Sequence, residues 1–153
     1  MIQRIQTLFF LMVSFLMSLI FFFPMATFQA NEGMAVLTSG GILKADSCEF
    51  VVWPLMAILS VMIILPLVTI GLYKKRMLQI RLTVFSALLE LLSIGLVAYE
   101  VRQIAATLPA ITYTYNWYLL SVVAVALILN FLAIKRIGRD EMLVRSLNSN
   151  RIR

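Results

Sequence analysis

One acidic residue, Glu90, interrupts a long apolar stretch and is the clearest candidate for chemistry in this chain. The segment RLTVFSALLELLSIGLVAYE, from Arg81 to Glu100, has no other charged residue between its ends. A carboxyl group buried among apolar side chains without a basic partner is expected to keep its proton and to donate a hydrogen bond. Such a group can join neighbouring helices, or it can act as a proton or cation relay, which normally requires further titratable groups in series.

The residues around Glu90 favour the first role. In a helical projection, small and hydroxyl residues share its face, while large apolar residues cover the opposite face. Small and hydroxyl side chains let neighbouring helices approach closely and form hydrogen bonds across the contact. The face of Glu90 contains Thr83, Ser86, Ala87, Ser93, Ile94 and Val97. The predicted intramembrane polar site is Glu90, Ser60, Ser86 and Ser93, with Ser14 or Ser18 at similar depth and Asn130 nearer the cytoplasm.

A second set of candidate polar residues lies where the apolar stretches meet basic segments, near the start of the first and third stretches and after the fourth. We predict that these side chains meet at one level, either as interfacial anchors or as a network in which Arg4 or Arg81 pairs with Asp140 or Glu141. Membrane topology alone requires no acids, so the acidic pair favours a network that fixes the base of the protein or docks a partner. The candidate docking residues are Arg4, Arg81, Asp140, Glu141 and Arg145.

Other chemistry has few residues to support it. The chain contains no histidine and one cysteine, so metal sites built from His and Cys ligands and most nucleophile–base pairs cannot form. We therefore predict no catalytic residue, no cofactor and no metal, and a protein that is not an enzyme. The net charge of +6 requires no nucleic acid, because membrane topology and attraction to anionic lipids at the cytoplasmic face explain it.

The composition indicates that these groups lie in a membrane. Of 153 residues, 62% are hydrophobic and 13% are charged, which is too little polar surface to cover a soluble domain of this size. Charged residues bound four apolar stretches, each about as long as a helix that crosses the hydrocarbon core. We predict one membrane domain, residues 1–153, with spans at about 7–24, 50–73, 82–99 and 117–134, the first being a retained helix and not a signal peptide.

The distribution of lysine and arginine predicts that both termini are cytoplasmic. Only Lys44 and Arg102 of the 13 basic residues fall on the opposite side, and cytoplasmic segments carry the excess of basic residues in membrane proteins. The predicted fold class is an all-α integral membrane protein, an antiparallel bundle of four transmembrane helices with both termini on the cytoplasmic side. Its extracytoplasmic loops are 25–49 and 100–116, its cytoplasmic loop is 74–81 and its cytoplasmic tail is 135–153.

Both extracytoplasmic loops contain strand patterns. Two β-prone runs flank the sequence SGG at residues 39–41, and ITYTYNW alternates β-branched and aromatic residues, so we predict a small hairpin or sheet. We expect this element to stop before the second helix, with Asp46 or Ser47 as its N-cap and Glu49 at its positive end.

Two residues predict changes of helix direction. Pro66 lies inside the second span and removes the amide donor for the carbonyl near Met62, so we expect a kink there. Gly138 follows the fourth span and would let the tail turn along the membrane surface as a basic amphipathic helix.

Three segments also carry a resemblance to known proteins. MIQRIQTLFFL at the start, KKRMLQIRL in the second connection and KRIGRDEMLVRSLNSNRIR at the end resemble the hallmark segments of a family of short four-helix membrane proteins of the Bacteroidota, whose function is unknown. The resemblance covers the whole chain in order and spacing. It implies an inner-membrane protein with four spans, and it implies no particular activity.

These observations leave two classes of function open. An accessory or scaffold subunit would bind a larger membrane protein complex through its helices and tail. A transporter or channel component would need a polar path, which so short a chain could supply only as an oligomer with Glu90 as an intramembrane proton or cation site. We favour the accessory subunit, with membrane lipids and either a membrane protein or a second copy of the chain as partners.

Overall fold

Four helices and five strands make up the part of the chain that the computed structural model describes, residues 2–30, 33–44, 47–50, 52–73, 75–107 and 110–150. The helices are α1 (Ile2–Phe22), α2 (Trp53–Gly71), α3 (Arg76–Thr107) and α4 (Trp117–Asn150). The strands are β1 (Ala26–Ala30), β2 (Gly33–Thr38), β3 (Gly41–Lys44), β4 (Ser47–Phe50) and β5 (Ala110–Tyr115).

Three of the helices are long and apolar enough to cross a membrane. They are α2, the part of α3 from Arg76 to Ala106, and the part of α4 from Trp117 to Asp140. The apolar part of α1 is shorter, from Gln6 to Phe22. The protein is therefore mostly helical with membrane-span-like helices and a small sheet, as the sequence predicts at this level of detail.

Each helix contacts two of the others: α1 and α3 both pack against α2 and α4. The buried residues of α2, α3 and α4 recur at spacings of three and four, which keeps one seam of each helix against its neighbours. In α2 this seam is Leu55, Leu59, Met62, Pro66 and Thr69. Large apolar side chains such as Phe15, Ile64, Leu88 and Phe131 are exposed on the outer surface, which is the pattern of helices that face lipid.

The five strands form one antiparallel sheet in the order β4-β3-β2-β1-β5. The predicted hairpin is β2 and β3, in which Thr38 pairs with Gly41. Gly41 has a φ of 140°, which favours glycine, and the Thr38 hydroxyl donates to the Gly41 carbonyl at 3.0 Å. The alternating segment ITYTY forms β5 at one edge of the sheet.

The sheet and the helices share one hydrophobic core. Phe28 and Leu37 on the inner face of the sheet are fully buried in the same cluster as residues of all four helices. Two side chains also join the sheet region to the end of α1: the Ser39 hydroxyl donates to the Phe21 carbonyl at 2.7 Å, and Asn116 Nδ2 donates to the Pro24 carbonyl at 2.8 Å. The sheet is therefore fixed to the helices.

The start of α2 differs from the prediction. Ser47 and Glu49 belong to β4, which pairs with β3, and α2 begins at Trp53 with Pro54 in its first turn. A proline fits this position because its missing amide hydrogen has no helical acceptor there. Asp46, the other predicted cap, lies outside the described residues. The capping prediction was wrong because SCEF extends the sheet instead of starting the helix.

Two helices are longer than the predicted spans. α3 starts within the predicted cytoplasmic loop 74–81 and continues through residues 100–107, which the sequence assigned to a loop. α4 continues through Gly138 to Asn150, so the predicted turn at Gly138 was wrong: one glycine among good helix formers does not end a helix. α2 also remains helical through Pro66. There the Ser14 hydroxyl of α1 donates to the Ile63 carbonyl at 3.0 Å, beside the carbonyl that lacks its proline donor.

Candidate functional site

Glu90 lies on the inner seam of α3 and is fully buried, with 0% of its surface exposed. The seam continues with polar residues towards the start of the helix and with apolar residues towards its end. This arrangement follows from the spacing of three and four residues, which brings these side chains to one face. The buried residues of this seam are Gln79, Thr83, Ser86, Glu90, Ser93, Val97, Val101 and Ile104.

The Glu90 carboxyl group accepts a hydrogen bond from the neighbouring helix α4. Asn130 Nδ2 donates to Glu90 Oε1 at 2.6 Å, and Asn130 is itself only 1% exposed. The Ser86 hydroxyl, one turn earlier on α3, donates to the same oxygen at a longer 3.4 Å. The Ser93 hydroxyl donates to the Glu90 backbone carbonyl at 2.7 Å and does not reach the carboxyl group. Asn130 is therefore the closest polar partner of this acid.

One oxygen on each side of this contact has no donor. Among the residues that the structure describes, neither Glu90 Oε2 nor Asn130 Oδ1 has a hydrogen-bond partner, although both atoms are buried. Both are acceptors when the acid is ionised, and a proton on Oε2 turns one of them into a donor. A protonated Glu90 can thus exchange two hydrogen bonds with the Asn130 amide, which would satisfy all four polar atoms of the pair. That Glu90 is the neutral acid stays a prediction from the sequence.

The structure separates the predicted members of the polar site. Ser86 and Ser93 lie beside Glu90, but the Ser60 hydroxyl donates to the Met56 carbonyl of its own helix at 2.7 Å. The Ser14 hydroxyl contacts α2, as described above, and the Ser18 hydroxyl donates to the Phe15 carbonyl at 2.7 Å. None of the latter three bonds is made to Glu90, so the prediction that they are its partners was wrong.

Asn130, which the sequence placed nearer the cytoplasm, is a direct partner of Glu90 in the structure. α4 continues as a helix beyond the predicted span end at residue 134, through charged residues, to Asn150. The 2.6 Å contact brings Asn130 and Glu90 to the same level of the packed helices α3 and α4. Ala126 and Ala133, its neighbours on the buried seam of α4, show that Asn130 occupies an inward position.

Asp140 pairs with Arg76 at the start of α3. Arg76 Nη2 lies 3.2 Å from Asp140 Oδ2, and Nη1 donates to the Asp140 backbone carbonyl at 3.0 Å. Arg81, which the sequence offered as a partner, is exposed. The side chains of Arg4, Glu141 and Arg145 are not among those that the structure describes, so the network proposed for them stays a prediction.

Buried polar side chains of α3 lie between Arg76 and Glu90 along the helix, among them Gln79 and Thr83. Gln79 Nε2 donates to the Thr69 carbonyl of α2 at 3.1 Å, and the Thr83 hydroxyl donates to the Gln79 carbonyl at 2.8 Å. Gln6 of α1 is also buried, and its Nε2 has no acceptor among the described residues. Sequence reasoning did not single out Arg76 or Thr69. Arg76 lies three residues before Gln79 on α3, which was the local signal for its face but not for its partner on α4.

The chemistry available at the site is that of hydrogen bonding and of a single proton. In the described part of the chain, no group of three or more His, Cys, Asp or Glu side chains could hold a metal ion. The polar atoms instead link one helix to another: α3 to α4 through Glu90, α3 to α2 through Gln79, and α1 to α2 through Ser14.

A comparison with protein families gives one match that covers nearly the whole chain. The model of a family described as a domain of unknown function, DUF4293, matches residues 2–152. The chain belongs to the DUF4293 family. No curated protein and no solved structure matches it significantly. The DUF4293 assignment supports the resemblance drawn from the sequence over nearly the whole chain, and its description carries no activity.

Proposed function

We propose that this protein is a small non-enzymatic accessory or scaffold subunit of a larger membrane protein complex. The observation that carries the proposal is the 2.6 Å hydrogen bond between Asn130 and Glu90. The acid most capable of proton or ion chemistry is engaged in joining two helices, which is what a rigid scaffold requires. Interhelical hydrogen bonds of this kind specify how helices associate in a membrane where the hydrophobic effect between them is absent.

We further propose the orientation of the helices. The protein is a four-span antiparallel bundle in the bacterial inner membrane, with both termini in the cytoplasm and the sheet outside. The excess of basic residues at one end of the helices supports this orientation. The pairing of Arg76 with Asp140 supports the antiparallel arrangement of α3 and α4, because it brings the start of α3 and the late part of α4 together.

Impermeant thiol labelling tests this orientation. In a Cys48→Ser background, Gly40→Cys should react in cells with a permeabilised outer membrane, and Met142→Cys should react only after the inner membrane is opened. Gly40 is exposed, and a side-chain Cβ at this position would have no other atom within 4 Å. Met142 is 65% exposed, so both thiols would be accessible. If Met142→Cys but not Gly40→Cys were labelled while the inner membrane was intact, the opposite orientation would be correct.

The Arg76–Asp140 pair is the structural element that we assign to partner docking at the cytoplasmic base. It is partly buried, with side-chain exposures of 25% and 16%, so its role is to hold the ends of α3 and α4 together. A docking surface formed by the start of α3 and the late part of α4 would then depend on the Arg76–Asp140 pair. This holds even if the partner protein contacts neither residue. An isolated exposed ion pair would contribute little, whereas this arginine also binds a backbone carbonyl.

Co-purification in a mild detergent followed by mass spectrometry tests the scaffold function. The wild-type chain should retain a reproducible membrane protein partner, and Arg76→Gln and Asp140→Asn should each lose it while still inserting in the membrane. Arg139→Gln is the matched control, because Arg139 is the exposed neighbour of Asp140. If the wild-type chain retained no partner, or if both variants kept it, the proposal would be wrong.

An oligomeric transporter or channel component is the second candidate. The observation that favours it is Glu90 Oε2, which has no hydrogen-bond partner among the described residues and is a place where a proton could be gained or lost. A conductor requires that proton to leave during each cycle, whereas a scaffold requires it to stay. The variant Glu90→Gln, which has no exchangeable acid proton, should therefore abolish the activity of a conductor and leave a scaffold unaffected.

A further inference from the structure

An open groove of about 450 Å³ lies between α3 and α4, next to the sheet. Its walls are almost entirely apolar, and its volume is within the range of sites that hold small molecules. The residues that line its walls are Ile94, Val97 and Ala98 of α3 and Leu119 and Leu120 of α4, and Tyr115, Asn116 and Trp117 form one end.

The position of this groove determines what can occupy its apolar part. Its walls belong to the segments of α3 and α4 that are apolar enough to cross a membrane. An open cleft on that surface faces hydrocarbon, so an acyl chain can enter it without exposing polar groups. Trp117 is 81% exposed at the end of the cleft. Tryptophan and tyrosine are typical of the level where acyl chains meet headgroups.

A basic residue lies just beyond this aromatic end. Arg102 is four residues after Ala98, so both lie on the same side of α3, one turn apart. Arg102 is exposed, and no carboxylate in the described part of the chain forms an ion pair with it. The nearby acid, Glu100, is two residues from Ala98 and so lies on the far side of the helix. An arginine with free donors suits a phosphate group, which it can bind in a bidentate manner.

We propose that the groove between α3 and α4 binds one anionic phospholipid, with an acyl chain against Ala98 and Leu119 and the headgroup phosphate at Arg102. This site is separate from Glu90 and does not depend on the scaffold function. The lipid would fill a cleft that the helices leave open and would tie the extension of α3 to the start of α4. This binding site differs from the general attraction of basic residues to anionic lipids at the cytoplasmic face. On α3, the basic residues proposed for that face lie near its start, whereas Arg102 lies near its end.

Tryptophan fluorescence tests the proposal, because each of the two tryptophans can report alone. Trp53→Phe leaves Trp117 in the groove, and Trp117→Phe leaves Trp53, which is 73% exposed at the start of α2 and does not line the groove. Each variant is reconstituted in phosphatidylcholine vesicles with a small fraction of brominated phosphatidylglycerol, which quenches tryptophan on contact. We expect Trp117 to be quenched as if this lipid were enriched about fivefold around it, the contribution of one basic residue towards anionic lipid.

Two further variants in the Trp53→Phe background identify the groove as the cause. Arg102→Gln should remove the enrichment, and Ala98→Phe should lower it by filling the wall of the groove. The matched controls are Arg81→Gln, an exposed arginine at the other end of α3, and Ala124→Phe, an exposed alanine of α4 outside the groove. Both controls should leave the enrichment unchanged.

Three outcomes would overturn the proposal. Equal quenching of Trp117 and Trp53 would mean that the groove has no preference over the general surface. Enrichment that persists in Arg102→Gln would remove the proposed phosphate contact. Quenching of Trp117 below that of Trp53 would mean that protein, such as a partner helix or a second copy of the chain, covers the groove.

Discussion

Asn130→Leu should destabilise the protein by about 1–2 kcal/mol, even though leucine is apolar and the site lies in a membrane-span-like region. The substitution removes the amide that lies 2.6 Å from Glu90 Oε1 and leaves the acid with Ser86 at 3.4 Å. Because Glu90 is fully buried, water cannot replace the lost partner. Reversible unfolding in mixed micelles, followed by circular dichroism, measures the loss.

The double variant Glu90→Leu/Asn130→Leu should recover much of this stability. Removing one partner leaves a buried polar group unsatisfied, whereas replacing both with apolar residues of similar size can be nearly neutral. Glu90→Leu alone should also be destabilising, since it leaves Asn130 without its acceptor. The four proteins form a double-mutant cycle, and a coupling energy near zero would show that the two side chains do not depend on each other.

Glu90→Gln is the control for this cycle, and it also separates the two proposed functions. The glutamine amide can donate to Asn130 Oδ1 and accept from Asn130 Nδ2, so folding and assembly should be preserved. A scaffold loses nothing because the exchangeable proton has no role in it. If Glu90→Gln remained folded but abolished a proton-dependent ion flux in reconstituted vesicles, the scaffold function would be wrong and the protein would be a transporter or channel component.

The sequence predicted the face of Glu90 because helical periodicity depends only on local spacing. Ser86 and Ser93 were placed beside the acid on that basis, and they are buried there. The partner on another helix depends on relative depth, which in turn depends on where each helix ends. Hydropathy ends a span at the first basic residues, Lys135 and Arg136, yet the α4 helix continues through them. The end of the apolar stretch therefore did not reveal the level at which α4 meets Glu90, and the sequence analysis chose the serines of α1 and α2 in place of Asn130.

The sheet was predictable in part for a similar reason. The turn residues at 39–41 and the alternating ITYTY segment are local signals, and both became strands. β1 and β4 were missed as strands because they continue directly from a helix or lead into one. Their strand character comes from pairing with β2, β5 and β3. The Arg76–Asp140 pair was missed because its two residues are 64 positions apart and no local pattern connects them.

Phe28→Ala should be the most destabilising of these substitutions, by about 3–5 kcal/mol, because it opens a cavity in a closely packed core. Phe28 is fully buried on β1, the strand that joins β2 to β5, and its ring packs against Tyr113 with centroids 6.5 Å apart. The core around it includes residues of all four helices, so the loss should appear in the unfolding of the helices as well as the sheet.

Gln29→Ala is the matched control for Phe28→Ala, since Gln29 is the next residue of the same strand and is exposed. It should change the free energy of unfolding by no more than about 0.5 kcal/mol. Circular dichroism of the helices and hydrogen exchange of the strand amides should lose stability together in Phe28→Ala, because one core serves both. If the strands lost protection while the helices unfolded as in the wild type, the sheet would be a separate folding unit. The hydrogen bonds from Ser39 and Asn116 would then hold it in place without cooperative packing.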